Sequence, residues 1–175
     1  MEDFFRKKIR NIPDFPKKGI MFRDITTLLQ DPESLKKTAE ALFNLSSTLK
    51  IDKVVGIESR GFIFGSILAE KLGAGLVLVR KPGKLPSETI SQSYTLEYGT
   101  DKLEIHKDAI VPGEQVLIHD DLLATGGTAR ATCELVEKVG GQIAQVSFIV
   151  ELSFLAGRDK FSGYKVDSLV KYDSE

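Results

Sequence analysis

The chain has 175 residues, 42% of them hydrophobic and 28% charged, and its 24 basic residues against 25 acidic ones leave a net charge of −1. That size suits one domain with a proper core, the charge balance excludes the basic footprint of a general nucleic-acid binder, and the single cysteine excludes an internal disulfide framework and suits a reducing compartment. No apolar run approaches the ~18 residues of a membrane span, and Glu2 and Asp3 stand where a secretory signal would start basic, so a cytoplasmic protein without a membrane partner is expected.

Residues 3 to 10 mix Phe4, Phe5 and Ile9 with Arg6, Lys7, Lys8 and Arg10, the pattern of an amphipathic helix with a solvated basic face. Pro13, Pro16 and Gly19 then break regular structure, and Ile20 to Ile25 follows as an edge strand or an ordered loop. Asp31-Pro32 is a helix start, an N-cap acceptor before the residue favoured at the first helical position, and Leu35, Ala39, Leu42, Ser46 and Leu49 continue its stripe. Lys53 to Ile57 reads as a strand, Glu58-Ser59-Arg60-Gly61 as a turn, Phe62 onward as a helix ending near Gly73, and Gly75 to Val79 as a further buried strand. Between Arg80 and Gly113 the rhythm breaks: Lys81-Pro82-Gly83-Lys84 is a loop, and Ile90 to Tyr98 with Asp101 to His106 form a hairpin around Gly99-Thr100. Strands at Ile143 to Val150 and Lys165 to Val170 complete the pattern. Alternating helices and strands of this kind predict an α/β fold, a twisted, mostly parallel sheet with helices on both faces, here with an antiparallel hairpin over a site.

The stretch Gln115 to Thr128 is the one the chain is organised around. Val116, Leu117 and Ile118 are contiguous and apolar, as in a central strand buried on both faces, so Asp120 and Asp121 fall where the strand leaves the sheet. Open α/β sheets bind ligands there. Thr125, Gly126, Gly127 and Thr128 then bring hydroxyls and backbone N–H groups to a helix N-terminus, an anion site. Neither Gly-x-x-x-x-Gly-Lys-Ser/Thr nor Gly-x-Gly-x-x-Gly occurs, which counts against nucleotide hydrolysis and dinucleotide binding.

Adjacent acids at a strand end can merely cap or solvate it, but beside a phosphate turn Asp120 and Asp121 suit the vicinal hydroxyls of a sugar. His119 next to them invites a metal reading. With His106 the only other histidine, a transition-metal site is poorly supplied and a hydrogen-bonded strand histidine is favoured. Magnesium, which takes oxygen ligands and arrives with phosphates, suits the pair better. Arg60, Arg80, Lys81 and Lys84 follow the two neighbouring strands and reach the same sheet edge, a cluster fit for a second, multiply charged phosphate. Two anion sites flanking one sugar suggest a phosphorylated sugar carrying a pyrophosphate. Cys133 reads as a small buried hydrophobe.

Val116 to Thr128 resembles the phosphoribosyl-pyrophosphate motif of the type I phosphoribosyltransferases. Phe15-Pro16 with Phe22-Arg23-Asp24-Ile25, Glu58-Ser59-Arg60-Gly61-Phe62, Arg80 to Pro86 and Ser93 to Gly99 are similar to the adenine-specific members, in order over nearly the whole chain. The resemblance implies one phosphoribosyltransferase domain over residues 1–175, with an adenine-pocket segment at about 1–30 and a hood hairpin at about 86–107. It implies a reaction in which adenine displaces pyrophosphate from C1′ of phosphoribosyl pyrophosphate to give AMP, with magnesium as cofactor and a homodimer as the working form. Position by position, Ala124, Thr125, Gly126, Gly127 and Thr128 would hold the 5′-phosphate and Asp120 and Asp121 the ribose hydroxyls. Ser59, Arg60, Arg80, Lys81 and Lys84 would face the pyrophosphate, and Met21, Phe22 and Arg23 the adenine. Glu97 matches the hood carboxylate that takes the purine's imidazole proton, with Tyr98 packed beside it. His119, where an apolar residue is expected, and Lys18, where many relatives have proline, depart from the pattern without removing a functional group. A regulator that senses phosphoribosyl pyrophosphate without turnover and an enzyme for a 6-oxopurine are the alternatives; the lack of a helix-turn-helix and the presence of Glu97 weigh against the first, the Arg23 and hood segments against the second.

Overall fold

The computed structural model describes residues 1–96 and 99–174, apart from the side chain of Leu96. Helix α1 (Glu2–Lys8) leads to a two-stranded antiparallel ribbon of β1 (Arg10–Ile12) and β2 (Phe22–Asp24), then α2 (Thr26–Gln30) and α3 (Pro32–Ser46). The core alternates β3 (Lys53–Ile57), α4 (Gly61–Leu72) and β4 (Gly75–Val79), and after the hairpin β5 (Thr89–Leu96) and β6 (Gly99–His106) resumes with β7 (Gln115–Leu123), α5 (Gly127–Lys138), β8 (Gln142–Leu152) and β9 (Val166–Tyr172). The main sheet has five strands in the order β4-β3-β7-β8-β9 with every pairing parallel. Its order reverses between β3 and β7, where the chain winds first toward β4 and later toward β9. That reversal is the topological switch point at which such sheets open a crevice for ligand.

Both faces of the sheet are covered. Against one pack α5 and the hairpin, with Cys133, Leu135, Leu103 and Ile105 meeting Val55, Ile118 and Phe148. Against the other pack the N-terminal helices and α4, with Phe5, Leu28, Leu42, Phe64 and Leu68 meeting Val54, Leu117 and Ile149. Local signals set the element ends: Asp31 accepts a bond from the Ser34 N–H at 3.2 Å with Pro32 behind it, and α4 stops at Gly73 with φ +65°.

Several boundaries differ from the sequence reading. Helix α1 ends at Lys8, and its basic face is engaged with other groups as well as solvated: Arg6 lies 4.5 Å from the Tyr172 ring centroid and Lys8 3.0 Å from Asp31. Leu49 lies beyond the end of α3. Gly99 and Thr100 belong to β6, paired with Leu96 and Thr95, because the antiparallel register runs as far as Leu96↔Gly99. Strand β7 runs through the acids to Leu123, paired with β8 as far as Leu123↔Glu151, while its pairing with β3 stops at Gly56↔His119. Asp120 and Asp121 are therefore still in a strand but beyond its last pairing with β3, which opens one side of them to the crevice.

Candidate active site

Close backbone approach brings α4 against this strand end. A Cβ on Gly61 would stand 2.7 Å from the His119 carbonyl oxygen and 3.0 Å from Asp120 Oδ1, so only glycine lets the turn after β3 sit there. That contact carries Arg60, the residue before it, to Asp121: the guanidinium Nε is 2.8 Å from Oδ2, an ion pair without aligned hydrogen-bond geometry. Burial pushes the Asp120 carboxyl well above its ordinary range, and the neighbouring Asp121 charge adds to this. Asp121 is also raised by burial, with Arg60 opposing the rise. Arg60 thus favours the ionised form of Asp121 more than that of Asp120, and the two acids titrate as a coupled pair.

The turn after β7 forms the floor of a cleft of about 380 Å³ lined by Ser59, Arg60, Lys81, Tyr94, Asp120, Asp121 and all of Ala124 to Thr128. Gly126 has φ +78° and caps α5. The first N–H groups of a helix lack intrahelical partners, and the residues that carry them here, Gly127, Thr128 and Ala129, line the cleft. A group with several anionic oxygens fits that arrangement.

The four cations are not equivalent. Arg60 and Lys81 line the cleft, whereas Arg80 is turned onto Glu58 at 3.2 Å and its Nη1 donates to the Lys84 carbonyl at 3.3 Å. Burial pushes the Glu58 carboxyl up, but the Lys81 N–H and the Arg80 guanidinium outweigh it and hold the group below its usual range. Lys81 is ion-paired with Asp101 of β6, whose Oδ2 also accepts from the Tyr94 hydroxyl at 3.1 Å. Lys84 forms no ion pair among the described residues and does not line the cleft. Three of the four cations are therefore paired with carboxylates.

Beside the polar cleft lies a second, apolar one of about 430 Å³ lined by Ile20, Met21, Phe22, Arg23, Leu152, Phe154 and Leu155, and it shares Leu122, Ala124 and Thr125 with the first. Phe22 joins the two from the other side, its ring 5.1 Å from the Arg60 guanidinium. Arg23 is buried, with Nη1 donating to Asn11 Oδ1 at 2.6 Å and the guanidinium stacked 4.0 Å from the Tyr172 centroid. Phe22, Leu122, Phe154 and Leu155 give this cleft a largely apolar lining.

Comparison with known proteins identifies the arrangement. Residues 24–173 match the model of the phosphoribosyl transferase domain. An adenine phosphoribosyltransferase of Christiangramia forsetii is 60% identical over 164 residues, 94% of this chain and 96% of the relative. The chain belongs to the adenine phosphoribosyltransferase family. Among solved members, the enzyme of Thermoanaerobacter pseudethanolicus superposes with a TM-score of 0.96 at 52% identity, over 98% of this chain and 100% of the other. The Saccharomyces cerevisiae enzyme, in complex with an iminoalditol bisphosphate and adenine, superposes with a TM-score of 0.90 at 42% identity, over 96% and 97% of the two chains. This chain is thus a pentosyl-transferring enzyme of purine salvage.

Within that family frame, Asp120, Asp121, Ala124 to Thr128, Ser59, Arg60 and Lys81 converge on one cleft, and Met21, Phe22 and Arg23 on the adjoining one. Glu97 and Tyr98 lie outside the described residues. Sequence reasoning missed Leu122, Leu152, Phe154 and Leu155, which look like ordinary apolar residues, and Tyr94, which looked like an alternating strand residue. His119 faces away from the cleft: its Nδ1 is 2.9 Å from Ser147 Oγ on β8, its ring is fully buried, and Nε2 has no partner among the described residues. Burial pulls its pKa down to about 3, so it stays neutral. The expectation of a hydrogen-bonded strand histidine holds. Cys133 is likewise buried as expected, its thiol pushed up to about 12 by burial.

Proposed function

We propose that the paired clefts are where adenine displaces pyrophosphate from phosphoribosyl pyrophosphate to give AMP, with the residue roles that follow. The observation that carries this reading is the shared wall of Leu122, Ala124 and Thr125 between a polar and an apolar cavity. Joining a flat apolar base to a phosphorylated sugar needs such adjacency. Ala124 to Thr128 bind the 5′-phosphate through backbone N–H groups and hydroxyls, and Asp120 and Asp121 take the ribose hydroxyls. Two adjacent carboxyl groups can each engage one of two neighbouring hydroxyls. Ser59, Arg60, Lys81, Arg80 and Lys84 face the pyrophosphate, and adenine lies against Phe22 with Met21 and Arg23. The whole chain acts as one unit, with the first 30 or so residues completing the base pocket and the hairpin at about 86–107 closing over it.

As the bond from C1′ to the leaving oxygen breaks, positive charge grows on the sugar and negative charge on pyrophosphate. Arg60 and Lys81 stabilise the second. A closed hairpin excludes water that would otherwise capture the sugar. Glu97 accepts the imidazole proton of adenine, with Tyr98 the second residue of that catalytic pair. Asp120 and Asp121 offer oxygen donors, which suit an ion that keeps its waters and shares substrate oxygens, as magnesium does, and they would hold it through water. Bound there, magnesium would neutralise part of the pyrophosphate charge. The reading also places the enzyme in the cytoplasm as a homodimer without nucleic-acid or membrane partners. The single, buried cysteine and the near-zero net charge support this placement, and among the described residues no helix is long and apolar enough to cross a membrane.

Turnover of adenine, hypoxanthine and guanine with phosphoribosyl pyrophosphate and magnesium tests the reading: AMP formation with adenine is expected, and turnover of only an oxopurine, or none, overturns it. Glu97→Gln should lower kcat by roughly 10²–10⁴-fold while phosphoribosyl-pyrophosphate binding persists.

A further inference from the structure

The segment between β8 and β9 lines the apolar cleft and packs against the turn that lines the polar one, although nothing in it resembles a substrate-binding motif. Phe154 and Leu155 stand in the wall of the apolar pocket. Two residues on, Gly157 backs the phosphate turn. A Cβ on Gly157 would stand 2.0 Å from the Ala124 carbonyl oxygen, and one on Gly126 would stand 2.7 Å from the Gly157 carbonyl oxygen. The two backbones press together with no room for a side chain. Phe161 closes the same contact, its Cε2 3.1 Å from that Gly126 position and its ring edge-on to Phe148.

One ion pair holds this segment to the sheet. Glu151, near the end of β8, is only 3% exposed. Arg158 grips it with both arms of its fork, Nε to Oε1 at 2.8 Å and Nη2 to Oε2 at 2.5 Å, and its Nη1 donates to the Val166 carbonyl of β9 at 2.6 Å. The Ser168 hydroxyl donates to Glu151 Oε2 at 2.5 Å, so the acid is fixed from β9 as well. A bidentate pair of this kind defines orientation as well as attraction.

We propose that Arg158 is a positioning residue for the transfer: clamped on Glu151, it holds Ser153 to Phe161 as one bracket that sets the base pocket and the phosphate turn at a fixed separation. The inference rests on the functional reading above. Base and sugar react only when both are seated in register, and a small misplacement from a distant change is costly. The bracket acts on that register rather than on either subsite.

The test separates ligands that span the bracket from ligands that do not. AMP occupies both clefts; adenine and ribose 5-phosphate each occupy one and can follow a relaxed half. Calorimetry on Arg158→Lys, which keeps the charge but loses the fork, should show AMP weakened roughly 10- to 100-fold and each fragment weakened much less, with KM for both substrates raised. A loss of folded protein alone would lower the binding stoichiometry and leave the dissociation constants unchanged, and that result overturns the proposal. So does an equal loss for AMP and both fragments. If Arg158→Lys does not fold, Ser168→Ala, which removes one hydrogen bond to Glu151, should give the same pattern on a smaller scale, and unchanged AMP affinity there refutes it. Failure of the wild-type protein to bind AMP at all would instead overturn the functional reading.

Discussion

Replacing His119 and its partner together, as His119→Val with Ser147→Ala, should remove a specific part of the protein's acid sensitivity. Removing both members avoids leaving a buried hydroxyl unpaired, a loss that would itself cost about 1–3 kcal/mol; Ser147 is 1% exposed and bonded to the ring. The histidine is neutral in the folded protein because burial pulls its pKa from 6.5 to about 3, while in the unfolded chain it protonates near the ordinary value. Below that value the unfolded state binds the extra proton, so stability is full above it and is lost as pH falls toward the folded pKa. The slope for one group is about 1.4 kcal/mol per pH unit, so the histidine should cost roughly 2–3 kcal/mol between pH 6.5 and 4.5. Asp120 and Asp121, whose carboxyls are raised by burial, act with the opposite sign in this range, binding protons in the folded state first. They are present in both proteins and cancel in the difference. Urea unfolding followed by circular dichroism at several pH values measures that difference. Wild type should lose stability relative to the double variant on acidification, and the variant should retain turnover at neutral pH because the ring does not line the cleft. Parallel stability curves would show that the imidazole is solvated or already paired, and the argument from burial would fail.

Gly126→Ala places a methyl 2.7 Å from the Gly157 oxygen at φ +78°, a conformation that costs an L-residue about 1–2 kcal/mol. KM for phosphoribosyl pyrophosphate should rise by more than about tenfold in steady-state assays, and an unchanged value would remove the turn from the phosphate site. Asp120→Asn should weaken ribose 5-phosphate binding by calorimetry yet raise stability at neutral pH by about 0.5–2 kcal/mol. The raised carboxyl loses stability as pH climbs through its folded pKa, so the gain should shrink toward pH 4, and a gain independent of pH would contradict its assigned titration. Asp101→Asn should free Lys81 from its ion pair and tighten pyrophosphate binding severalfold, by less than about 1 kcal/mol for a partly exposed pair; unaltered pyrophosphate affinity would mean that the pair does not compete with substrate.

The sequence by itself determined those parts of this protein that are contiguous along the chain. The phosphate turn is one: a buried strand, two acids and Thr125-Gly126-Gly127-Thr128 carry their chemistry within a single stretch, so spacing alone reveals it. The strands at Lys53–Ile57 and Gly75–Val79 and the cap at Asp31-Pro32 were legible for the same reason, since hydrophobic runs and caps are local. Tertiary structure decided what depends on register and on chain return. His119 meets Ser147 only because β7 and β8 pair as they do, and Arg80 meets Glu58 rather than the cleft because β3 and β4 end side by side. Phe154, Leu155 and Gly157 reach the site because the chain after β8 folds back over the end of β7, a contact between residues some thirty positions apart. Apolar side chains and a glycine carry no chemical signature of their own, so their part in the site exists only in the packing that brings them there.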